Sequence, residues 1–142
     1  MNQIIENILR TNIVLDVLFN REPYSDNAIA LFDAVETKRI QGYLCATTIT
    51  TIDYLATKSL GKAGSKIAIT KLLELFIIAE VNRRTLTAAL LADFSDFEDA
   101  VLFHAGLDAG IDCVVTRNSK DFKTTERPIY SPNQLLTDVT QG

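Results

Sequence analysis

The stretch from Ala100 to Thr116 sets the tightest limit on what this chain can fold into. Ala100 to Leu107 is apolar apart from His104, Ala109-Gly110 breaks the pattern, and Ile111 to Thr116 follows as a short run. The core of that run, Cys113-Val114-Val115-Thr116, is mostly β-branched and has no polar alternation. Such a run is apolar on both faces, which is the pattern of a strand inside a parallel sheet. A buried helix feeding a buried strand is half of an α/β crossover unit. Polar residues Thr116-Arg117-Asn118 close the strand, and open α/β sheets place their ligands at the carboxyl ends of such strands.

Just before this helix, Asp93-Phe94-Ser95-Asp96-Phe97-Glu98-Asp99 crowds four carboxylates into seven residues. Ser95 followed three residues later by Glu98 has the spacing of a capping box, which predicts a helix with Asp96 in its first position. Asp96 and Asp99 then form an i, i+3 pair on one face. Two readings stay open here. Acids in a first helical turn complement the positive end of the helix dipole, and two carboxylates on one face also suit a divalent cation, which takes oxygen ligands.

The rest of the chain supplies partners for this unit. Asn7 to Leu9 reads as a short strand, and Thr11-Asn12 as capping residues for a helix from Ile13 to Leu18. Asn20 to Pro23 ends it. Ser25 caps a second helix to about Lys38, with Ala28, Leu31, Phe32 and Val35 at helical spacing. Gln41-Gly42 marks a turn into a strand over Tyr43 to Ala46, and a helix from Thr48 to about Lys58 carries Asp53. Gly61-Lys62-Ala63-Gly64-Ser65-Lys66 lacks the spacing of a phosphate loop and reads as a connection between helices. Lys66 to Phe76 continues as helix, Ile77 to Val81 as strand and Thr85 to Ala92 as helix. Ile129-Tyr130-Ser131 reads as an edge strand, and Pro132 opens a last helix through Leu136. Strands separated by one or two helices imply a parallel sheet covered on both faces.

Composition narrows the class. The 142 residues, 47% hydrophobic and 23% charged, suit a single globular domain spanning 1–142 with a sizeable core. No apolar run reaches the length of a membrane span. Met1-Asn2-Gln3-Ile4-Ile5-Glu6 lacks the basic region and cleavage site of a secretory signal, so the expected location is cytoplasmic. Cys45 and Cys113 lie in apolar runs without a ligand neighbour and read as buried thiols. A net charge of −4 argues against holding nucleic acid by general phosphate neutralisation. Local basic clusters at Lys58, Lys62 and Lys66, and at Arg117, Lys120 and Lys123, read as solvated faces.

The order of elements, with Leu9-Arg10-Thr11-Asn12-Ile13-Val14-Leu15-Asp16 early, Ser95-Asp96-Phe97-Glu98-Asp99-Ala100 late and Val115-Thr116-Arg117-Asn118-Ser119-Lys120-Asp121-Phe122 after it, resembles the PIN-domain family. The likeness spans almost the whole chain, including Asn20-Arg21-Glu22-Pro23 and Ser131-Pro132. It implies a three-layer α/β/α domain around a mainly parallel sheet of four to five strands. Many family members are Mg²⁺- or Mn²⁺-dependent endoribonucleases, often the toxin of a toxin–antitoxin pair, so RNA and an antitoxin-like protein are the implied partners. Many also form homodimers, for which the apolar helices before Pro23 and after Gly61 are the candidate faces.

Carried over by position, the family's acid on the helix after the second strand falls at Asp53, where Glu is usual. The late helical acid falls at Asp99, with Asp96 beside it. The polar position after the last central strand falls at Asn118, with Asp121 as the nearest carboxylate and Thr116 and Asn12 in support. In an active member such groups hold the metal, which generates a nucleophilic water. This chain departs from the pattern at the end of the first strand, where Arg10 stands in place of the first metal-binding aspartate. A guanidinium stays protonated and removes a ligand while adding a charge. The expectation is that Arg10 occupies the cation's place against Asp99, and against Asp96 or Asp53, with metal-dependent cleavage impaired; the alternative is an active enzyme with Arg10 swung out. A receiver-like phosphoacceptor domain fits less well, because its acceptor acid would follow a central strand. A nucleophilic hydrolase would need more than the one histidine, His104, set in an apolar helix.

Overall fold

The structure, a computed structural model, describes residues 4–122 and 126–141. Its frame is a five-stranded sheet in the order β3-β2-β1-β4-β5. The strands are β1 (Ile5–Leu9), β2 (Ile40–Cys45), β3 (Ile77–Ala79), β4 (Cys113–Val115) and β5 (Ile129–Tyr130). Every pairing is parallel, with Asn7 opposite Gly42 on one side and Cys113 on the other. The helices are α1 (Thr11–Leu18), α2 (Ser25–Glu36), α3 (Ala46–Leu75), α4 (Arg83–Leu91), α5 (Phe97–Ala109) and α6 (Pro132–Gln141).

Successive strand residues feed opposite faces of the sheet. Leu9, Leu44, Cys113 and Val115 pack with Ile13, Leu31, Leu72 and Leu135 on the side of α1, α2 and α6. Ile8, Tyr43, Cys45 and Val114 pack with Ala89, Val101, Leu102 and Phe103 on the side of α4 and α5. These two apolar layers make the three-layer α/β/α arrangement and explain why the central strands lack polar alternation.

Several boundaries differ from the sequence expectation for local reasons. Gln41-Gly42 lies inside β2 and not in a turn. A Cβ on Gly42 would sit 2.7 Å from the Phe76 ring and 2.9 Å from Val35 Cγ2, so glycine is required there by packing. The turn falls earlier, where Lys38 adopts a left-handed φ of 63°. Helix α1 starts at Thr11 with Arg10 as its N-cap and no side-chain cap bond; the Thr11 hydroxyl instead pairs with that of Thr48 at 3.0 Å. Likewise Ser25 is the first residue of α2, behind Tyr24. Gly61 (φ 77°, ψ 172°) divides α3 into two arms, at the expected helix connection. Helix α6 continues past Leu136 to Gln141. Ile13, Val14 and Leu15 of the helix before Pro23 are buried in the core, which leaves little of that helix for a partner. Beyond Gly61, Ile67 and Leu73 are exposed. Lys123 lies outside the described residues.

Strand order 3-2-1-4-5 reverses direction between β1 and β4. That is the topological switch point, where the connections leave to opposite faces and a crevice opens at the strand ends. Arg10 follows β1 and Thr116 follows β4, so the fold places these two chain segments side by side. The backbone amide of Arg10 donates to the Val115 carbonyl at 2.9 Å.

Candidate active site at the carboxyl edge of the sheet

The crevice is a pocket of about 400 Å³ lined by Arg10, Asn12, Glu98, Asp99, Asn118 and Asp121, with Arg21 and Arg117 at its side. A larger cavity of about 930 Å³ lies between α2, β2 and the second arm of α3. Its floor is formed by residues such as Val17, Phe32, Val35 and Leu72, with Glu36, Lys38, Lys71 and Glu74 also on its lining; the bonded cluster of part-buried charges at the strand ends lies in the smaller pocket.

At its centre the Arg10 guanidinium grips two carboxylates. Nε donates to Asp99 Oδ1 at 2.9 Å and Nη2 to Asp99 Oδ2 at 3.1 Å, while Nη1 donates to Asp121 Oδ2 at 2.7 Å. This is the bidentate geometry in which a planar guanidinium matches a carboxylate. Asp99 is nearly out of solvent, its side chain 7% exposed against 25% for Arg10 and 23% for Asp121. Burial pushes the Asp99 carboxyl above its usual range, Arg10 pulls it back in part, and Asp96 and Asp121 add to the rise. Burial also works against the Arg10 charge, but Asp99, Asp121 and Asp96 more than offset it and raise its pKa. Each charge is therefore tied to its partner's presence.

Asp96 has a different task. It is the N-cap of α5, its Oδ1 accepting from the Asp99 amide at 3.0 Å, so the helix begins at Phe97. The cap is Asp96 and not Ser95, which moves the predicted start by one residue. Asn118 caps the 3₁₀ turn Ser119–Asp121 by accepting from the Lys120 amide. That turn carries Asp121 to Arg10. The buried Thr116 hydroxyl accepts from the Asn118 amide at 3.3 Å and steadies the turn's start. Asn12 borders the pocket; its carbonyl accepts from Arg21, and its Oδ1 is buried without a hydrogen-bond partner.

Asp53 does not join this group. Helix α3 faces the pocket through Thr48, bonded to Thr11, and through Thr51, whose hydroxyl donates to Glu98 at 3.3 Å. Asp53 is two residues beyond Thr51, about 200° around the helix. It instead accepts from the Ser65 hydroxyl at 2.7 Å, joining the two arms of α3 across Gly61. The expected pairing of Arg10 with Asp53 is thus replaced by pairing with Asp121.

A second charged cluster, missed in the sequence, borders the first. Asp16 is fully buried and held by Arg21 Nε at 2.9 Å and Arg117 Nε at 2.7 Å. Arg117 also stacks over the Tyr24 ring at 3.9 Å. A carboxylate that deep requires such pairing, and the cluster ties α1 to the end of β4. Its signal was Asp16 itself, one acid within the apolar run Ile13 to Leu18.

The arrangement does not fit a divalent cation. Both oxygens of Asp99 are taken by a guanidinium, and among the described residues no three His, Cys, Asp or Glu side chains are grouped to hold a metal. Nor is any helix among the described residues long and apolar enough to cross a membrane.

Solved structures share the fold. A toxin–antitoxin complex from Klebsiella pneumoniae aligns with TM-score 0.66 and 19% identity, covering 89% of this chain and 97% of that one. DNA-bound VapBC from Salmonella typhimurium aligns with TM-score 0.68 and 14% identity, covering 91% and 99%. Mycobacterium tuberculosis VapC20, described as a sarcin-ricin loop cleaving toxin, aligns with TM-score 0.64 and 14% identity, covering 80% and 90%. No curated protein matches the chain by sequence. The PIN domain pattern matches residues 7–120, from the centre of β1 through the turn that carries Asp121's neighbour Lys120. With that match over most of its length, and with the sheet order and crevice described above, the chain belongs to the PIN-domain family.

Proposed function

We propose that this protein is a toxin-type PIN relative in which Arg10 takes the place of the cation, so that metal-dependent RNA cleavage is impaired or lost and the pocket is retained for binding. The observation that carries this reading is the grip of Arg10 on Asp99 and Asp121. Two unit charges about 4 Å apart repel by roughly 4 kcal/mol at an effective dielectric near 20, and a divalent ion doubles that. At about 1.4 kcal/mol per tenfold, metal affinity falls by several decades. Arg10 offsets one of the two negative charges of Asp99 and Asp121 without metal, Asp96, Asn118 and Thr116 hold the surrounding backbone, and Asn12 borders the pocket.

The partners in this reading are RNA and an antitoxin-like protein. Support for the antitoxin comes from the neighbouring structures, which include toxin–antitoxin complexes. Support for RNA comes from the neighbour described as cleaving the sarcin-ricin loop. The competing reading is an active Mg²⁺ or Mn²⁺ endoribonuclease with Arg10 turned out of the pocket, favoured only by the partial exposure of that side chain.

Incubating structured RNA with the purified chain in Mn²⁺, with and without chelator, separates the two. Retention of RNA in both conditions without cleavage supports the proposal. Cleavage that stops with chelator and is lost in Asp99→Asn overturns it.

A further inference from the structure

Two charged clusters border the same pocket and are unbalanced in opposite senses. Arg10 sets one guanidinium against two carboxylates, Asp99 and Asp121. Asp16 sets one carboxylate against two guanidiniums, Arg21 and Arg117. One arginine is enough to pair a buried carboxylate, so the second leaves a surplus positive charge at the pocket's side.

Both surplus-side arginines are already held in place. Arg117 donates to Asp16 through Nε at 2.7 Å and Nη2 at 3.3 Å and stacks on Tyr24, while Arg21 donates to Asp16 and to the Asn12 carbonyl. Nη1 of each has no hydrogen-bond partner among the described residues. Side chains fixed in advance lose little further freedom when a ligand arrives, and the planar guanidinium fork matches phosphate oxygens. At 39% and 27% exposed, Arg21 and Arg117 are within reach of an anion from solvent.

The acidic cluster decides which phosphate fits. A nucleic-acid strand crossing the pocket would bring its next phosphate against Asp121 and Glu98, whereas a chain end brings only its sugar. Asp121 Oδ1 and Glu98 Oε2 accept no hydrogen bond among the described residues, so sugar hydroxyls can donate to them. A terminal phosphate also carries about −1.5 to −2 charges at neutral pH and answers two guanidiniums better than a singly charged diester. The chain's net charge of −4, which disfavours tracking a polyanion, is compatible with recognition of one phosphate. We propose that the pocket binds the phosphate monoester of a nucleotide, its phosphate held by Arg21 and Arg117 and its ribose hydroxyls by Asp121 and Glu98. This rests on the reading above that the pocket is retained for binding, and names what it binds.

Calorimetric titration of the purified full chain tests it, with chelator present so that the outcome does not depend on whether the chain cleaves RNA. Uridine 5′-monophosphate is compared with uridine, and a short RNA bearing a 5′-phosphate with the same RNA bearing a 5′-hydroxyl. The phosphorylated member of each pair should bind at least about tenfold more tightly. Equal affinity for the mononucleotide and the phosphorylated RNA assigns the site to free nucleotides, and tighter binding of the RNA assigns it to a chain end; both support the inference. Arg21→Gln and Arg117→Gln should each remove most of the preference for phosphate. Arg117→Lys keeps a cation on buried Asp16, which guards against loss of the fold, and should still lower the preference because the fork is gone. RNA bound equally with either end overturns the inference while leaving the binding reading standing, and failure of all four probes to bind overturns both. A preference for phosphate that survives every arginine substitution unchanged also overturns it.

Discussion

Arg10, from the end of β1, and Asp99, from the first turn of α5, are 89 residues apart in sequence and meet in a two-pronged ion pair at 2.9 and 3.1 Å. The pair closes the carboxyl edge of the sheet where β1 and β4 diverge. Asp121 adds a third contact at 2.7 Å, so one guanidinium holds together the end of a strand, the start of a helix and the turn after β4.

Removing the guanidinium should cost stability because it leaves Asp99 buried and unpaired. Breaking such a pair typically costs 3–5 kcal/mol, and with Arg10 partly exposed a loss of about 3 kcal/mol is expected for Arg10→Met. Adding Asp99→Asn removes the stranded charge and should recover part of that loss. Urea unfolding of the single and double variants measures both.

Gly42→Ala should be destabilising despite its small size. The added methyl would meet the Phe76 ring at 2.7 Å and Val35 at 2.9 Å, and overpacking of this kind costs about 1–3 kcal/mol. A lowered midpoint in thermal unfolding, with an unchanged circular dichroism spectrum at low temperature, is the expected result.

Tyr43 should titrate late. Its hydroxyl donates to Glu6 at 2.6 Å, and that bond, with burial and the nearby charges of Glu6 and Asp112, pushes the phenol up to about 12. A pKa raised in the folded state gives stability that is fully present below the ordinary value of 10 and is lost as pH rises through about 12. Tyrosinate absorbance should show a late step that disappears in Tyr43→Phe.

Cys113 should be inert in the native protein, since burial foremost pushes its thiol up to about 12. The thiolate is the reactive form. Alkylation at mildly alkaline pH should leave Cys113 unmodified until denaturant is added, as read by mass spectrometry.

Much of the fold was legible because its strands are apolar on both faces. Val114 and Val115 serve opposite layers, and a sheet covered on both faces accommodates that pattern. Element ends were less legible. Gly42 looks like a turn residue, but its role is set by Phe76, 34 positions away, which no local window contains. Asp96 displaced Ser95 as the cap because both are good cap residues and the choice depends on how the chain enters the helix.

In the candidate site, Arg10, Asp96, Asp99, Asn118 and Asp121 come together because strand ends and a helix start are positions that sequence can locate. Asp53 was misplaced because a carboxylate on a helix has a direction as well as a position, and one helical turn offers several facings. The Asp16 cluster escaped notice because its acid and its two arginines are brought together only by tertiary packing.

The most direct test of the central claim is calorimetric titration of Mn²⁺ into the wild-type chain and into Arg10→Asp. Replacing a guanidinium with a carboxylate beside Asp99 and Asp121 reverses the local charge and removes a repulsion on the order of 8 kcal/mol for a divalent ion. About half of that alone corresponds to a thousandfold, so the variant should bind Mn²⁺ at least about a thousandfold more tightly. Wild type should show no saturable heat at millimolar metal, and Mn²⁺ should raise the melting temperature of the variant alone. Tight, stoichiometric Mn²⁺ binding by the wild-type chain, abolished by Asp99→Asn, would contradict the account.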